Sequence, residues 1–410
     1  MKTGTFRHPW FIWSLATSLL VLSQLSADIY LPSMPAMSAA FAVSKGAIQF
    51  ASIIAMISFG LSLFVWGPVS DHWGRRAAAL WGTGIFVGGS FICMMTHSIE
   101  MLWVGRALQG FGIGCSGAIT PVIPKDIFSG AQLIRAFAAV SMVMGFVPIV
   151  AQVIGGYLQE HQGWRECFVL LWLVGVGVFI AIAFGLPETN RHLKQHVLSW
   201  RVLGQHYWAV LADKAFFGYV LCMSLVYAGE VAYSIVTPFV LQEQLGLTPV
   251  QNGWLAIFTG GGLLTGALLS SIWSRWWSIH GLMQWGLGFL AASTLMMGAV
   301  VLGHWVFVWT VVGPMTLFMV GAGLIYPNCI AGIMVRFDSK NGVAGALMGG
   351  LQMIGAGAFN GIVAKWQIAT LGPLAELLLG LVILSCVVYW RARRESNPWP
   401  RPSEGRALSI

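Results

Sequence analysis

Long apolar segments alternate with short polar ones along the whole chain. Hydropathy predicts twelve spans, at residues 9–34, 46–69, 77–97, 100–123, 134–158, 165–186, 214–241, 250–273, 280–302, 305–331, 341–363 and 372–391. Each span is long enough to cross a hydrocarbon core of about 30 Å as a helix. The pattern therefore predicts an all-α membrane protein with twelve transmembrane helices.

The longest polar interruption divides these spans into two sets of six. It predicts an N-terminal six-helix bundle over residues 1–186, a cytoplasmic central loop over 187–213, a C-terminal six-helix bundle over 214–391 and a cytoplasmic tail over 392–410. Two pseudo-symmetric bundles suit a protein that alternates access to a site near the membrane midplane.

Composition and charge agree with this pattern and exclude other classes. With 57% hydrophobic and 9% charged residues, the chain has far fewer charges than the roughly 25% typical of soluble domains. If the N-terminus is inside, the inner segments carry eighteen Lys and Arg residues and the outer segments three. This bias predicts that both termini are cytoplasmic, and it accounts for the net charge of +8 without a nucleic-acid partner. The six cysteines show no metal-binding or disulfide spacing.

One short loop concentrates charge between the second and third spans. It reads GPVSDHWGRR and contains Gly67, Asp71, Gly74, Arg75 and Arg76. A glycine among the charges suits a tight turn. The charges alone are explained equally well by a simple topogenic loop, in which each solvated charge contributes little.

Further motifs carry a resemblance to a known family. The Gly67–Arg76 loop resembles the signature loop of the major facilitator superfamily. Its proton-coupled drug antiporters have fourth- and fifth-helix motifs similar to two stretches here, Arg106-Ala-Leu-Gln109-Gly110-Phe-Gly112 and Gly145-Phe-Val-Pro148 through Gly155-Gly156. Three more stretches resemble the bicyclomycin/chloramphenicol-resistance (Bcr/CflA) branch, namely Asp28-Ile-Tyr-Leu-Pro32-Ser-Met-Pro35, Tyr326-Pro327-Asn328 and Gly345-Ala-Leu-Met-Gly-Gly-Leu-Gln352.

The resemblance implies the major facilitator fold and a function. It implies a multi-pass protein of the bacterial inner membrane that exports small amphipathic molecules by proton antiport, acting as a monomer, without a cofactor and without enzymatic activity. Asp71, Arg75 and Arg76, with Asp126 below the fourth span, are expected to form a cytoplasmic gate latch. Asp71 is expected to approach the inner end of the eleventh helix, near Asn341.

Three charged residues inside predicted spans, Asp28, Arg106 and Glu230, are candidates for the transport chemistry. A carboxylate there costs roughly 2.5–3.5 kcal/mol, so Asp28 is a candidate for proton coupling. Arg106 is predicted at a similar depth, so the two form either a coupling pair or a fixed ion pair that orients two helices. Glu230 is either a second protonation or cation-recognition site facing Asp28, or it accepts a hydrogen bond from a neighbouring Ser or Tyr.

The remaining candidates are polar side chains within spans. Those expected to line a substrate cavity are Gln24, Tyr30, Gln109, Tyr227, Tyr233 and Asn328, and each taken alone is explained equally by packing. Gly145, Pro148, Gly155 and Gly156 are expected to pack helices as the antiporter motif does.

Competing functions are separated by what the sequence lacks or alters. It shows no catalytic set, metal spacing, phosphate-binding loop or repeated polar filter, which argues against a membrane enzyme, an ATP-driven pump and a channel. Export of a siderophore or another metabolite is an alternative to drug export. Proton-symport uptake of a nutrient or siderophore is a further one, because Gln152 stands near the place of a second proline in the fifth-helix motif.

Overall fold

The computed structural model describes residues 8–190, 200–337, 341–366 and 370–395, and within these ranges it contains helices and turns but no strand. The first part comprises α1 (Pro9–Asp28), α2 (Met34–Phe41), α3 (Lys45–Trp73), α4 (Arg75–Met94), α5 (Ile99–Ile113), α6 (Cys115–Ile119), α7 (Ile123–Ile127), α8 (Gly130–His161) and α9 (Arg165–Gly185). The second part comprises α10 (Trp200–Leu211), α11 (Lys214–Phe239), α12 (Pro249–Trp273), α13 (Ile279–Leu302), α14 (Val308–Arg336), α15 (Asn341–Lys365) and α16 (Leu371–Glu395).

Helix starts follow from side chains that accept the first free backbone N–H groups. Ser44 Oγ accepts from the third residue of α3, and Ser98 Oγ does the same for α5. Asp213 caps α11, with 2.9 Å from its Oδ1 to the N–H of Phe216. Thr248 begins α12 with a reciprocal capping box. These caps set the residue at which each of these four helices begins.

Eleven helices in the described residues are long and apolar enough to cross a membrane. The fourth predicted span, residues 100–123, is instead divided between α5 and α6, which are separated at Gly114. This stretch is rich in glycine, which weakens a helix, and a side chain on Gly114 would overlap the hydroxyl of Ser62 on α3. The count of twelve spans and the orientation of the termini stay predictions.

The segment between the halves is not wholly a loop. Residues 187–213 were predicted as a loop, but α10 lies within this range, and its Val210 is buried against Phe216 and Val220 of α11. The ring of Tyr207 on α10 also lies 6.1 Å from that of Phe64 on α3. Residues 191–199 and 396–410, which include most of the predicted tail, lie outside the described residues.

The two halves meet along two helix pairs, α3 with α15 and α8 with α12. Glycines permit both approaches. A Cβ atom on Gly60 would lie 2.8 Å from the carbonyl oxygen of Gly350, and one on Gly156 would lie 2.5 Å from that of Pro249. Close backbone packing of this kind is typical of helices in a membrane, where the hydrophobic effect does not drive their association. The division into bundles at 1–186 and 214–391 stays a prediction.

Candidate functional site

Asp28 is the last residue of α1 and belongs to a helical stripe with access to solvent. Ser14, Ser18, Gln24 and Ala27 share the exposed or half-buried side of the helix with Asp28. The half-buried Val21 and Leu25 belong to the same stripe, so a face of α1 with mixed polar and apolar side chains is partly accessible. Gln24 therefore lies on the same face as Asp28, as the sequence predicted.

The carboxylate of Asp28 accepts no hydrogen bond among the described residues. It nevertheless lies within electrostatic range of Glu230 on α11 and Arg106 on α5. The first of these belongs to the other half of the protein. Asp28 and Glu230 are both partly accessible and come from different halves of the protein, and the region between them is called the central space.

Arg106 is buried, and the structure gives it neutral partners. Its Nη1 donates to the carbonyl oxygen of Ser26 over 3.1 Å and to Oε1 of Gln109 over 2.9 Å. Its Nη2 donates to the hydroxyl of Tyr30 over 3.1 Å, and the guanidinium lies 4.3 Å from the centre of that ring. The predicted direct pairing with Asp28 is thus replaced by a polar and aromatic cage.

Two predicted cavity residues belong to this cage. Gln109 is fully buried, and its Nε2 donates to Ser90 Oγ on α4 over 2.8 Å while its Oε1 holds Arg106. Tyr30 is also buried and forms a hydrogen bond with Ser52 Oγ on α3. Both side chains therefore lie behind Arg106 and orient it, because their polar atoms are already engaged.

Glu230 faces Asp28 from α11 and is held by a tyrosine of α14. The hydroxyl of Tyr326 donates to Glu230 Oε2 over 2.9 Å. Tyr227, one helical turn before Glu230, lies within electrostatic range of both acids. A hydrogen bond from tyrosine was one of the two alternatives for Glu230. Tyr326 itself was missed as a site residue, although its place beside Pro327 in the Tyr-Pro-Asn motif was the available signal.

Two other predicted cavity residues face protein. Asn328 is buried, and its Nδ2 donates to Ser270 Oγ over 2.8 Å, which joins α14 to α12. Tyr233 is buried within the apolar core around α11. Both side chains are buried by neighbouring helices, and their assignment to a substrate cavity stays a prediction.

The loop between α3 and α4 forms a compact ionic cluster. Nη1 of Arg75 donates to Ser70 Oγ over 2.6 Å and pairs with Asp71, and Nε of Arg75 lies 3.7 Å from Asp126 Oδ2. Burial raises the pKa of Asp126 above its usual value, while the charge of Arg75 and a hydrogen bond from Thr189 oppose the shift. Asp71 remains 58% exposed, so it is free to meet another group.

A short segment after α9 clamps this loop. The carboxylate of Glu188 accepts from the backbone N–H groups of Arg75 over 3.0 Å and Arg76 over 3.2 Å, at the start of α4. An anion at a helix N-terminus is favoured by the free N–H groups and the helix dipole. Gly74 adopts a φ of 101°, and a side chain there would overlap Glu188. Sequence reasoning missed Glu188 because it assigned residue 188 to the linker.

The two residues that follow extend the clamp. Thr189 Oγ1 donates to Asp126 Oδ2 over 3.3 Å, and Asn190 Nδ2 donates to the carbonyl oxygen of Asp71 over 3.0 Å. Three consecutive residues thus contact three parts of the ionic cluster. The predicted approach of Asp71 to α15 involves Lys340, which lies outside the described residues, and the side chain of Asn341, which is also not described. It stays a prediction.

The antiporter-motif glycines lie where α8 meets its neighbours. A side chain on Gly155 would overlap the carbonyl oxygen of Ile29, which directly follows Asp28, and one on Gly145 would overlap Leu264 of α12. Pro148 lies inside α8 without interrupting it. By contrast, a Cβ on Gly67 of the signature loop would meet nothing within 4 Å, so packing does not explain that glycine.

Comparison with known proteins agrees with this architecture. The sequence profile of the Major Facilitator Superfamily matches residues 16–360. Multidrug resistance protein D of Escherichia coli (strain K12) is 30% identical over 90% of this chain and 92% of its own length. A bicyclomycin resistance protein homolog of Haemophilus influenzae is 24% identical over 93% of this chain and 96% of its own length. The solved structure of a D-xylose-proton symporter superposes with a TM-score of 0.76 at 14% identity, covering 93% of this chain and 97% of that one.

The chain belongs to the major facilitator superfamily, a class of membrane transporters that carry small molecules and are not enzymes. Within it, the relatives place the chain in the drug-efflux group. The helical membrane fold and the resemblance on the motif residues are thereby confirmed.

Proposed function

We propose that this protein exports small amphipathic molecules across a bacterial inner membrane in exchange for protons, as a monomer of two six-helix bundles. The observation that carries this proposal is the pair of carboxylates, Asp28 and Glu230, on opposite sides of the central space. Arg106, the cation in range of Asp28, is engaged by neutral oxygens. The names of the relatives, which are resistance proteins, support a drug-like cargo.

Asp28 is the proposed proton carrier. A transported proton needs a group that reaches water and changes its surroundings as the protein alternates. Asp28 lies on the accessible stripe of α1, and its carboxylate has no hydrogen-bond donor among the described residues. Arg106, fixed by its cage, supplies a positive charge at constant position. The proton and the cargo then compete for the same acidic space, which is what exchange requires.

Glu230 is the proposed recognition site for positive charge on the cargo. Its hydrogen bond from Tyr326 fixes one carboxylate oxygen, and a second tyrosine, Tyr227, lies within electrostatic range of it. An acid beside tyrosine rings suits a bulky organic cation, through both ionic and cation–π attraction. Service as a second protonation site is the other use of the same carboxylate.

The ionic cluster at the predicted inner end is the proposed cytoplasmic gate latch. Asp71, Arg75 and Asp126 lie within one network, and the adjacent Arg76 ties the same loop to α9 by donating to the carbonyl oxygen of Ala183 over 2.7 Å. The segment from Glu188 ties this network to the end of α9. A network that has two arrangements is the kind of element that a rocking transporter uses as a switch.

Transport assays with purified protein in sealed vesicles test the proposal. With the cytoplasmic face outward, a proton gradient that is acidic inside is expected to drive uptake of ethidium, a fluorescent organic cation. Asp28→Asn is expected to abolish gradient-driven movement while cargo exchange without a gradient remains. Glu100→Gln, at the exposed start of α5, is the matched control and should behave as the parent chain.

Different results separate the alternatives. If a gradient of the opposite sign drives ethidium inward, the protein is a symporter and the antiport proposal fails. Glu230→Gln is expected to abolish movement of ethidium but spare a neutral phenicol, whereas a change in proton stoichiometry for both would mark Glu230 as a second protonation site. A deletion strain that lacks a secreted siderophore, without any drug sensitivity, would assign a metabolite as the cargo.

A further inference from the structure

The end of α11 departs from regular α-helical geometry. Pro238 lies inside α11 and lacks the N–H that would bond the preceding turn, and the five residues Val240–Gln244 that follow closely are wound as a π-helix. The N–H of Leu245 donates to the carbonyl oxygen of Val240 over 3.2 Å, which is the wide turn's own hydrogen bond. The π-helix is rare in proteins, and the single π-turns that do occur are often found at functional sites.

Two consecutive residues of this π-turn contact the other half of the protein. Gln242 Nε2 donates to the carbonyl oxygen of Pro32 over 2.8 Å, and the carboxylate of Glu243 pairs with Lys45. In a regular helix, adjacent side chains point about 100° apart, and the wider turn reduces this angle. The π-turn therefore brings the two side chains closer to one face, and both contact the first half.

The contacted groups belong to the ends of two first-half helices. Pro32 lies in the 3-10 turn Leu31–Ser33 that follows α1, four residues after Asp28, and Lys45 is the first residue of α3. The Nζ atom of Lys45 also lies 5.2 Å from the ring centre of Phe239, on the α11 side of the contact. Charge positions predict that this end of the protein faces outward.

We propose that Gln242 and Glu243 form an outer latch that holds the two halves together at the predicted outer end and is broken when that end opens. The ion pair with Lys45 supplies attraction that tolerates water, since both side chains are more than one-third exposed. The hydrogen bond to the carbonyl oxygen of Pro32 is directional, so it orients the Gln242 side chain toward the first half. The latch depends only on separation of the halves, so it does not rest on the cargo or on proton coupling.

Two further contacts lie at the same end. Gln49 Nε2 donates to the carbonyl oxygen of Ile235 over 3.4 Å, and Glu160 Oε2 accepts from the backbone N–H of Val250 over 3.1 Å. Each joins one half to the other. Several contacts between the two halves therefore close this end. Among those named here, the Lys45–Glu243 ion pair is the one whose attraction becomes repulsion when one charge is reversed.

Thiol labelling of a cysteine in the central space tests the latch. The reporter is Ala27→Cys, at an exposed position beside Asp28, labelled in whole cells with a membrane-impermeant reagent and corrected for labelling of the parent chain. Glu243→Gln is expected to raise the labelling rate about 1.4-fold to fivefold, the range that corresponds to an exposed ion pair. Glu243→Lys and Lys45→Glu are expected to raise it further, because each places like charges together.

The charge swap decides the interpretation. The double variant Lys45→Glu/Glu243→Lys is expected to restore the parent rate, and Lys365→Glu, at another exposed outer lysine, should have no effect. In inverted vesicles the single variants should lower the labelling of the reporter. Unchanged labelling in the single variants, a swap that fails to restore the rate, or faster labelling from both sides would each overturn the latch.

Discussion

Gln109 provides the sharpest test of how Arg106 is held. In Gln109→Leu, the guanidinium loses a 2.9 Å hydrogen bond and Ser90 loses one of 2.8 Å. A bond to a charged group contributes about 1.5–3 kcal/mol and a neutral one about 0.5–1.5 kcal/mol. The substitution should therefore cost about 2–4 kcal/mol. Asp28→Asn removes no hydrogen bond among the described residues and should cost less than half as much.

The thiols of the protein allow the effect to be measured. Cys93, Cys115, Cys167, Cys222 and Cys329 are buried, so unfolding exposes them to a dye that fluoresces on reaction. In detergent, the loss expected for Gln109→Leu corresponds to a fall of roughly 4–8 °C in the unfolding midpoint, at about 2 °C per kcal/mol for a large chain.

The control is a glutamine on the accessible face of α1. Gln24 makes no hydrogen bond in the described structure, so Gln24→Leu should leave the midpoint within about 1 °C of the parent chain. If Asp28→Asn lowers the midpoint as much as Gln109→Leu does, then an Asp28–Arg106 ion pair holds the arginine. The neutral cage would be refuted.

Three further contacts are each tested by a substitution. Gly155→Val should abolish transport and lower the unfolding midpoint, because the new side chain would overlap the carbonyl of Ile29. Gly261→Ala, which has open space around it, should change neither transport nor the midpoint, and both variants are checked by transport and thermal unfolding assays. Glu188→Gln should lower the free energy of unfolding by about 0.3–1 kcal/mol through loss of charge at the start of α4, an effect that disappears in high salt if the reasoning holds. Because burial raises the pKa of Asp126, its ionised form costs stability as pH rises through that pKa; Asp126→Asn should therefore gain stability relative to the parent chain as pH rises above the ordinary range of an aspartate, and a pH-independent difference would contradict this.

The sequence by itself determined the helical membrane fold and the chemistry of the candidate site. Apolar length and loop charge require no knowledge of neighbours, because the bilayer imposes them on each span separately. For the same reason Asp28, Arg106 and Glu230 could be selected from one chain, since a charge inside a span is costly wherever it lies. The motif residues supplied the family.

Tertiary structure alone decided which of these groups meet. Depth along a helix predicted that Asp28 and Arg106 lie at the same level. Contact also depends on how each helix is rotated about its axis, and the guanidinium of Arg106 instead contacts Ser26, Tyr30 and Gln109. Partners from distant parts of the chain are likewise invisible in the sequence, as for Tyr326 on Glu230.

The same holds at the two ends of the protein. Glu188 reaches the start of α4 across 113 positions of sequence to Arg75, and Glu243 reaches Lys45 across 198. Hydrophobic periodicity carries no information on such pairs, because it records only which face of each helix is apolar. The packing of whole helices, through α3 with α15 and α8 with α12, sets which polar side chains come together.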